Sequence, residues 1–409
     1  MAGGGTAGHL QPALAIAEAL VDAGHGRDTI EFVGSSRGQD RSALEGRGFP
    51  FTLMPGRGIV RGLAPRDIGA NLAALAGLLV ACARGFGMVI RARPRVVVSV
   101  GGYASLSATL AAVVLGVPLV LVNVDAVPGA ANRLFGRFAR ASAVGWEGTP
   151  LPRSVVTGTP VRAEIAAIAP GGRHGADRSS ARHLLGLLPD RATVAVFGGS
   201  LGASHLNRVV ADLAVRWKDR DGRSIYHIVG RRDWDGYSTS GSDPGGTTGT
   251  TGTTGTDTGT DTGTDGVDTG TDADAHRTGL QLVRVPYQDR MAAVYAAADV
   301  VVCRAGALTV AELAVAGVPS VLVPLPGAPG DHQTANARVL ERAGAAVLLT
   351  DGGLDAERLG RVLDDLLADP DRLEAMGRAA ASIGRPNAAA AGAHLVEANA
   401  RPDGHRGRP

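Results

Sequence analysis

Three short glycine-rich turns, each set just ahead of a helical stretch, constrain this chain more than any other feature. They read Gly3-Gly4-Gly5-Thr6-Ala7-Gly8-His9, Gly198-Gly199-Ser200-Leu201-Gly202-Ala203 and Arg304-Ala305-Gly306-Ala307-Leu308-Thr309. Glycine lets a backbone turn tightly and approach a ligand closely. The helix that follows aims unpaired N–H groups and a positive dipole end at the same point. Such turns suit diphosphates. Three of them, spread over two halves of a strand–helix chain, predict two doubly wound α/β lobes facing a cleft that holds a phosphorylated ligand.

The chain has 409 residues, too long for one core, which makes two domains the expectation. Forty-one Lys and Arg against 39 Asp and Glu leave a formal charge of +2, which calls for no nucleic-acid partner. Cys82 and Cys303 stand far apart without pairing or metal-ligand spacing, and this fits a reducing cytoplasm. No signal peptide is read at the front. Residues Val96 to Val124 carry no charge and are long enough to span a bilayer. Gly101-Gly102 and Gly116-Val117-Pro118 break that run, so strand, glycine loop, helix and buried strand is the better reading.

Strands are predicted over Ile30–Val33, Val96–Val100 and Leu119–Val122 in the first half. In the second half they are predicted over Thr193–Phe197, Ser224–Val229, Asp299–Cys303, Ser320–Val323 and Ala345–Leu349. Alternation with helical segments predicts parallel sheets. A buried strand normally precedes the first glycine turn, but only Met1 and Ala2 stand there, and the sheet's first strand is expected to be missing from this sequence. Domain boundaries are read at 1–158 and 159–384, with a helix over 385–400 packing back on the first domain. The Gly/Thr/Asp-rich stretch 241–272 is expected to be a disordered insert, and residues 401–409 a disordered tail.

A dinucleotide reading wants an acid at the tip of the second strand, and Ile30–Val33 runs into Gly34-Ser35 without one. An acid does occur after the third turn. Glu312 lies on its helix, one turn beyond Leu308-Thr309, where the helix N-terminus can take phosphate while Glu312 accepts from ribose hydroxyls. Asp331 to Ala337 then supply polar groups at a strand's C-terminal end, with Gln333 and Asn336 on one helix face if that helix starts near His332. His9, where the first glycine turn meets its helix, is the candidate general base. Its ordinary pKa lies near neutrality and a helix N-terminus favours its uncharged form.

The ordered set Gly4-Gly5-Thr6-Ala7-Gly8-His9 with Pro12, Gly101-Gly102-Tyr103, Gly158-Thr159-Pro160-Val161-Arg162, Gly198 to Ala203 with Asn207, and Cys303 to Glu312 resembles the MurG family of GT-B glycosyltransferases. That resemblance spans nearly the whole chain apart from the insert and tail. It implies a GT-B fold of two Rossmann-like domains, and inverting transfer of N-acetylglucosamine from UDP-GlcNAc to the C4 hydroxyl of undecaprenyl-diphospho-MurNAc-pentapeptide (lipid I). The product would be lipid II. By the same resemblance Thr6, Ala7 and Gly8 would face the acceptor diphosphate or the transferred sugar. Arg162 and Ser200 would contact the UDP phosphates. Ala307, Leu308, Thr309, Val310, Ala311, Glu312, Gln288 and Gln333 would take uridine, ribose and sugar, and Tyr103 and Asn207 would shape the acceptor side. No cofactor and no obligatory metal are expected.

The family's His-Glu-x-Asn reads Val122-Asn123-Val124-Asp125 here, Leu201 stands for a common Gln, and Ala7 for a common Gly. Asp125 is the residue left to hold the sugar hydroxyls. Transfer to another acceptor, or nucleotide-sugar binding without turnover, are the alternatives this departure keeps open. Leu72, Leu75, Leu78, Leu79, Cys82 and Phe86 recur at helical spacing, with Arg84, Arg91 and Arg93 beside them. A cation-flanked apolar stripe suits an anionic leaflet, although a stripe this wide also suits a core-facing helix. Peripheral binding at the cytoplasmic face of the cell membrane is the expectation.

Overall fold

The computed structural model describes residues 1–4, 7–36, 40–54, 65–168, 176–199, 203–238 and 278–402. The first half forms a sheet of β1 (Ala2–Gly3), β2 (Phe32–Ser35), β3 (Phe51–Met54), β4 (Val97–Gly101), β5 (Leu119–Asn123), β6 (Ala141–Val144) and β7 (Ser154–Val156). The second half forms another, of β8 (Ala192–Phe197), β9 (Arg223–Ile228), β10 (Gln281–Val285), β11 (Val300–Cys303), β12 (Ser320–Leu322) and β13 (Ala346–Leu348). Their orders are β3-β2-β1-β4-β5-β6-β7 and β10-β9-β8-β11-β12-β13. Every strand pair is parallel. These are two doubly wound sheets, as the alternating pattern predicts. The uncharged run 96–124 folds as strand, loop, helix and strand, and among the described residues no helix is long and apolar enough to cross a membrane.

Helices α1 (Ala7–Asp22), α2 (Asp40–Leu44), α3 (Pro65–Ala92), α4 (Ser105–Val114) and α5 (Ala130–Phe135) serve the first sheet. The second sheet carries α6 (Ala163–Ala166), α7 (Ala176–Leu184), α8 (Ser204–Arg216), α9 (Arg231–Ser238), α10 (Met291–Ala297), α11 (Ala307–Ala316), α12 (His332–Arg342), α13 (Ala356–Leu367) and α14 (Pro370–Ile383). The final helix, α15 (Ala388–Asn399), returns to the first lobe and packs on α1, β5 and β6. Its end is tied there by backbone and side-chain bonds between Arg401 and Arg95.

The expectation of a missing first strand is corrected. Ala2–Gly3 occupies that slot, pairing with Val33 on one side and with Ser99 and Gly101 on the other. Two residues suffice to fill the centre of the sheet because both neighbours supply their own backbone partners, as where Val33 N–H donates to the Met1 carbonyl at 2.8 Å. So short a strand has no periodicity for a sequence reading to detect.

In a sheet of this order, ligands bind beyond the strand C-termini where the winding reverses. The reversal falls between β1 and β4 in the first lobe and between β8 and β11 in the second. In sequence, the three glycine-rich stretches follow β1, β8 and β11, and Gly101-Gly102 closes β4. Each reversal is therefore flanked on both sides by turns that carry glycine.

Candidate active site in the cleft

In the first lobe the backbone is crowded around His9. Gly102 has a positive φ of 78°, and a Cβ there would lie 2.9 Å from the Gly4 carbonyl oxygen and 3.3 Å from His9 Nδ1. The imidazole thus rests on the turn after β4. A Cβ on Gly4 would overlap the Asp40 carboxylate. Asp40 is buried and accepts from the Ser35 N–H at 2.7 Å. An acid therefore does reach the tip of β2, from α2 rather than from the strand. Its carboxylate is turned onto Gly4 and the Ser35 N–H. The sequence reading missed it because the residue is five positions past Ser35.

Burial lowers the His9 pKa below its ordinary value of about 6.5. Asp125 and Asp40 pull it back up, and His332 pushes it further down. The net direction leaves the imidazole neutral at pH 7, the form a base needs.

In the second lobe, Arg162 Nε and Nη2 donate to the two Glu312 oxygens at 3.1 and 3.3 Å, and the Tyr295 hydroxyl donates to Oε2 at 2.8 Å. Burial opposes the Arg162 charge, but the Glu312 carboxylate outweighs it and raises the guanidinium pKa. Burial first, and then Glu312, hold the Tyr295 phenol far above its ordinary range, so it remains a donor. A carboxylate offers about four lone-pair sites, and three are in use. Glu312 retains one acceptor site. Arg162 retains Nη1, which has no partner among the described residues.

This pair lies beside the start of α11. Asp355 and Asp369 cap α13 and α14 by accepting from Arg358 N–H at 2.7 Å and Arg372 N–H at 2.9 Å. Helix α11 begins instead at Gly306, which offers no side-chain cap. Its first N–H groups, from Ala307 to Thr309, are open to an outside acceptor. Val310, Ala311 and Glu312 continue the helix inward and are buried.

The remaining candidates divide. Gln333 is buried on α12, which begins at His332 as the polar pattern predicts, and its Oε1 accepts from Leu325 N–H at 2.9 Å. Gln288 donates to the Tyr226 hydroxyl at 2.7 Å beside the end of β10. Asn207 is corrected. It lies in the second lobe on α8, not on the acceptor side. Its Nδ2 donates to Val229 O and Asp233 Oδ2, both at 3.0 Å, and its Oδ1 meets His227 Nε2 at 3.0 Å. Its amide ties α8 to the turn after β9. Tyr103 is half-buried, its hydroxyl enclosed with no partner among the described residues, and burial and then Cys82 raise its pKa. That places it against α3. Gly8 lies in the first turn of α1, beside Ala7. Thr6 and Ser200, along with Leu201 and the 241–272 stretch, lie outside the described residues.

Val122 and Asn123 do not reach into the cleft, since both are buried. Asn123 Nδ2 donates to the Asp125 carbonyl at 2.6 Å and its Oδ1 accepts from Asn132 Nδ2 at 3.1 Å. Asp125 itself contacts the second lobe, where its Oδ1 accepts from Asn336 Nδ2 at 2.9 Å.

The N-terminal domain model of glycosyltransferase family 28 matches residues 1–144, and its C-terminal domain model matches residues 261–391. A UDP-N-acetylglucosamine--N-acetylmuramyl-(pentapeptide) pyrophosphoryl-undecaprenol N-acetylglucosamine transferase of Acidothermus cellulolyticus is 38% identical over 399 residues, covering 97% of this chain and 96% of that one. The enzyme of the same name from Desulforudis audaxviator is 35% identical, covering 95% and 94%. The crystal structure of Acinetobacter baumannii MurG superposes with a TM-score of 0.68 at 26% identity, covering 97% of both chains. A kitacinnamycin glycotransferase, at TM-score 0.60 and 16% identity, shares the fold. With two winding reversals, an uncapped helix start in one and a neutral histidine in the other, and relatives matched along nearly their whole length, the chain belongs to glycosyltransferase family 28, among the MurG-type N-acetylglucosamine transferases.

Proposed function

We propose that this glycosyltransferase moves N-acetylglucosamine from UDP-GlcNAc to the C4 hydroxyl of the muramoyl sugar of lipid I, forming lipid II. One observation carries the reading: the Arg162–Glu312–Tyr295 network stands beside the open start of α11. A ribose hydroxyl donates into the acceptor site left on Glu312. The diphosphate accepts from the first N–H groups of α11 and from Arg162 Nη1, which together stabilise the charge that grows as UDP departs. His9 removes the proton of the C4 hydroxyl as its oxygen attacks C1 of the sugar. The C1–O bond to UDP breaks on the opposite face, and the α-linked donor becomes a β1,4 bond. Gln288 and Gln333 orient uridine and sugar, and Asp125 takes sugar hydroxyls where the family has Asn.

Incubation with labelled UDP-GlcNAc and a short-chain lipid I analogue tests this, with labelled disaccharide product expected. Donor hydrolysis alone, or transfer only to other acceptors, would overturn it. The burial of Val122 and Asn123 favours a second reading, in which the same donor serves a different acceptor, and the same assay with alternative acceptors decides it.

The membrane-bound acceptor calls for peripheral docking at the cytoplasmic face. The apolar stripe on α3 divides. Phe86 packs on the first-lobe core and Cys82 is half-buried, whereas Leu79 is 64% exposed and Val80 is also outward. Leu72, Leu75 and Leu78 have side chains outside the described residues. Leu79→Glu is expected to weaken binding to anionic vesicles about tenfold, as loss of one buried leucine and addition of one like charge imply. Flotation with phosphatidylglycerol vesicles measures it, and unchanged binding would remove α3 from the docking face.

A further inference from the structure

We propose that Asn336 is a positioning residue that clasps the two lobes together through Asp125 and Ala126 in the turn after β5. The proposal rests on the transferase reading only for its kinetic readouts. Asn336 lies on α12 of the second lobe and is 0% exposed. Its two amide hydrogens go to Asp125 Oδ1 at 2.9 Å and to the Ala305 carbonyl at 3.2 Å, and its oxygen accepts from Ala126 N–H at 2.8 Å. Two of these three bonds cross between the lobes. The third grips the turn that leads into α11.

The first-lobe side of the clasp is itself braced. Asn132 Nδ2 donates to Asn123 Oδ1 and to the Val122 carbonyl, both at 3.1 Å, and Asn123 Nδ2 donates to the Asp125 carbonyl. A line of amides therefore runs from α5, through the end of β5, to the residue before Gly306. Apolar contacts follow the same line. Ala126 packs against the second-lobe core, and Ala307 packs against the first-lobe core.

An asparagine can do this where other side chains cannot. It is short enough to stay buried, and it offers donors and an acceptor at one atom's spacing. Each bond contributes only modestly once water can replace it. The clasp is thus strong enough to favour the closed cleft and weak enough to release, as a hinge between ligand-exchange and reacting states requires. His332, one turn earlier on the same face of α12, also acts on His9. The charged and titratable groups acting on that imidazole are Asp125 from the turn after β5, Asp40 from α2 and His332 from α12. Two of the three sit on the clasp, so lobe closure and the basicity of His9 are linked.

The test combines a distance with a pH profile in the full chain. Spin labels at Glu45 and Arg361, in a Cys82→Ser background, report the separation of the lobes by double electron–electron resonance. Asn336→Ala is expected to broaden that distance distribution and to lower kcat about tenfold to a hundredfold, with a smaller change in KM for UDP-GlcNAc. Asp125→Asn retains an acceptor for Asn336 and removes the charge. It should keep the narrow distribution while moving the acid limb of the kcat profile to lower pH. His332→Ala should move that limb to higher pH. If Asn336→Ala does not fold, Asp125→Ala opens the same clasp from the more accessible side and must broaden the distribution. An unbroadened distribution with kcat within about twofold of the parent overturns the clasp, and an unmoved acid limb in Asp125→Asn overturns the link to His9. A parent protein without turnover would sink the transferase reading, and the distances would still decide the clasp.

Discussion

The two lobes share a winding order and use their glycines for opposite purposes. In the first lobe Gly4 is pressed on the Asp40 carboxylate, and Gly102 is pressed on the Gly4 carbonyl and on His9. Those glycines make room for the protein itself. In the second lobe a Cβ at Gly306 would meet nothing nearer than Thr309 Oγ1 at 3.8 Å, on a backbone with an ordinary φ of −65°. That glycine leaves room for something outside the chain. One lobe has spent its conformational freedom on packing His9 tightly against backbone, and the other has kept an unobstructed, uncapped helix start.

The widest separation between the lobes is expected in kinetics. His9→Ala should lower kcat by about a thousandfold, within the usual range for losing a general base, and leave UDP affinity within about twofold, since no donor contact is assigned to it. Glu312→Gln should do the reverse, weakening UDP binding about tenfold by removing the charged acceptor of one ribose hydrogen bond while kcat at saturating donor changes little. Calorimetric titration with UDP and steady-state assays measure both. Equal loss of UDP binding in the two variants would erase the division of labour.

Alanine at the glycines sharpens the contrast on a smaller scale. Gly4→Ala forces the Asp40 carboxylate or the Gly34 backbone of β2 to move and should destabilise the chain by about 2 kcal/mol, as overpacking in a filled site does. Gly306→Ala should leave thermal stability within about 0.5 kcal/mol and instead raise the KM for the donor. Thermal melts of both variants beside donor titrations give the comparison. A stability loss at Gly306 equal to that at Gly4 would mean that both turns are built for packing.

The sequence makes the second lobe more legible than the first, and the reason is physical. Strands such as Thr193–Phe197 and Asp299–Cys303 are long runs of buried β-branched residues, and the structure has strands at 192–197 and 300–303. The centre of the first lobe is only Ala2–Gly3, whose place is set by partners at Val33 and Ser99. β6 reads Ala-Ser-Ala-Val and β7 is an exposed edge, so neither carries the apolar signal of a core strand. In the site, the polarity and order of Ala307–Glu312 pointed to a helix start with an acid one turn in, and that is its geometry. Asn207 was misread because its partners, His227, Val229 and Asp233, lie twenty or more positions away. Asp40 and Asn336 depend on the same kind of distant contact. A local pattern reports the element a residue occupies, but the lobe and face its side chain serves are decided by tertiary packing.

The last expected effect concerns pH and belongs to the second lobe alone. His227 is a fully enclosed residue of β9, and burial, with help from Arg284, pushes its pKa down to about 3. The unfolded chain takes up a proton near the ordinary value of about 6.5, while the folded lobe keeps this imidazole neutral. The unfolded state therefore binds more protons between those values, and stability falls as pH drops from about 6.5 toward 3. His227→Gln can still donate to Asn207 and has no proton to gain. Its melting temperature at pH 7 should sit slightly below the parent's, and the loss between pH 7 and pH 5 should be smaller than the parent's. If the two lost stability in parallel, acid sensitivity would have to come from groups elsewhere.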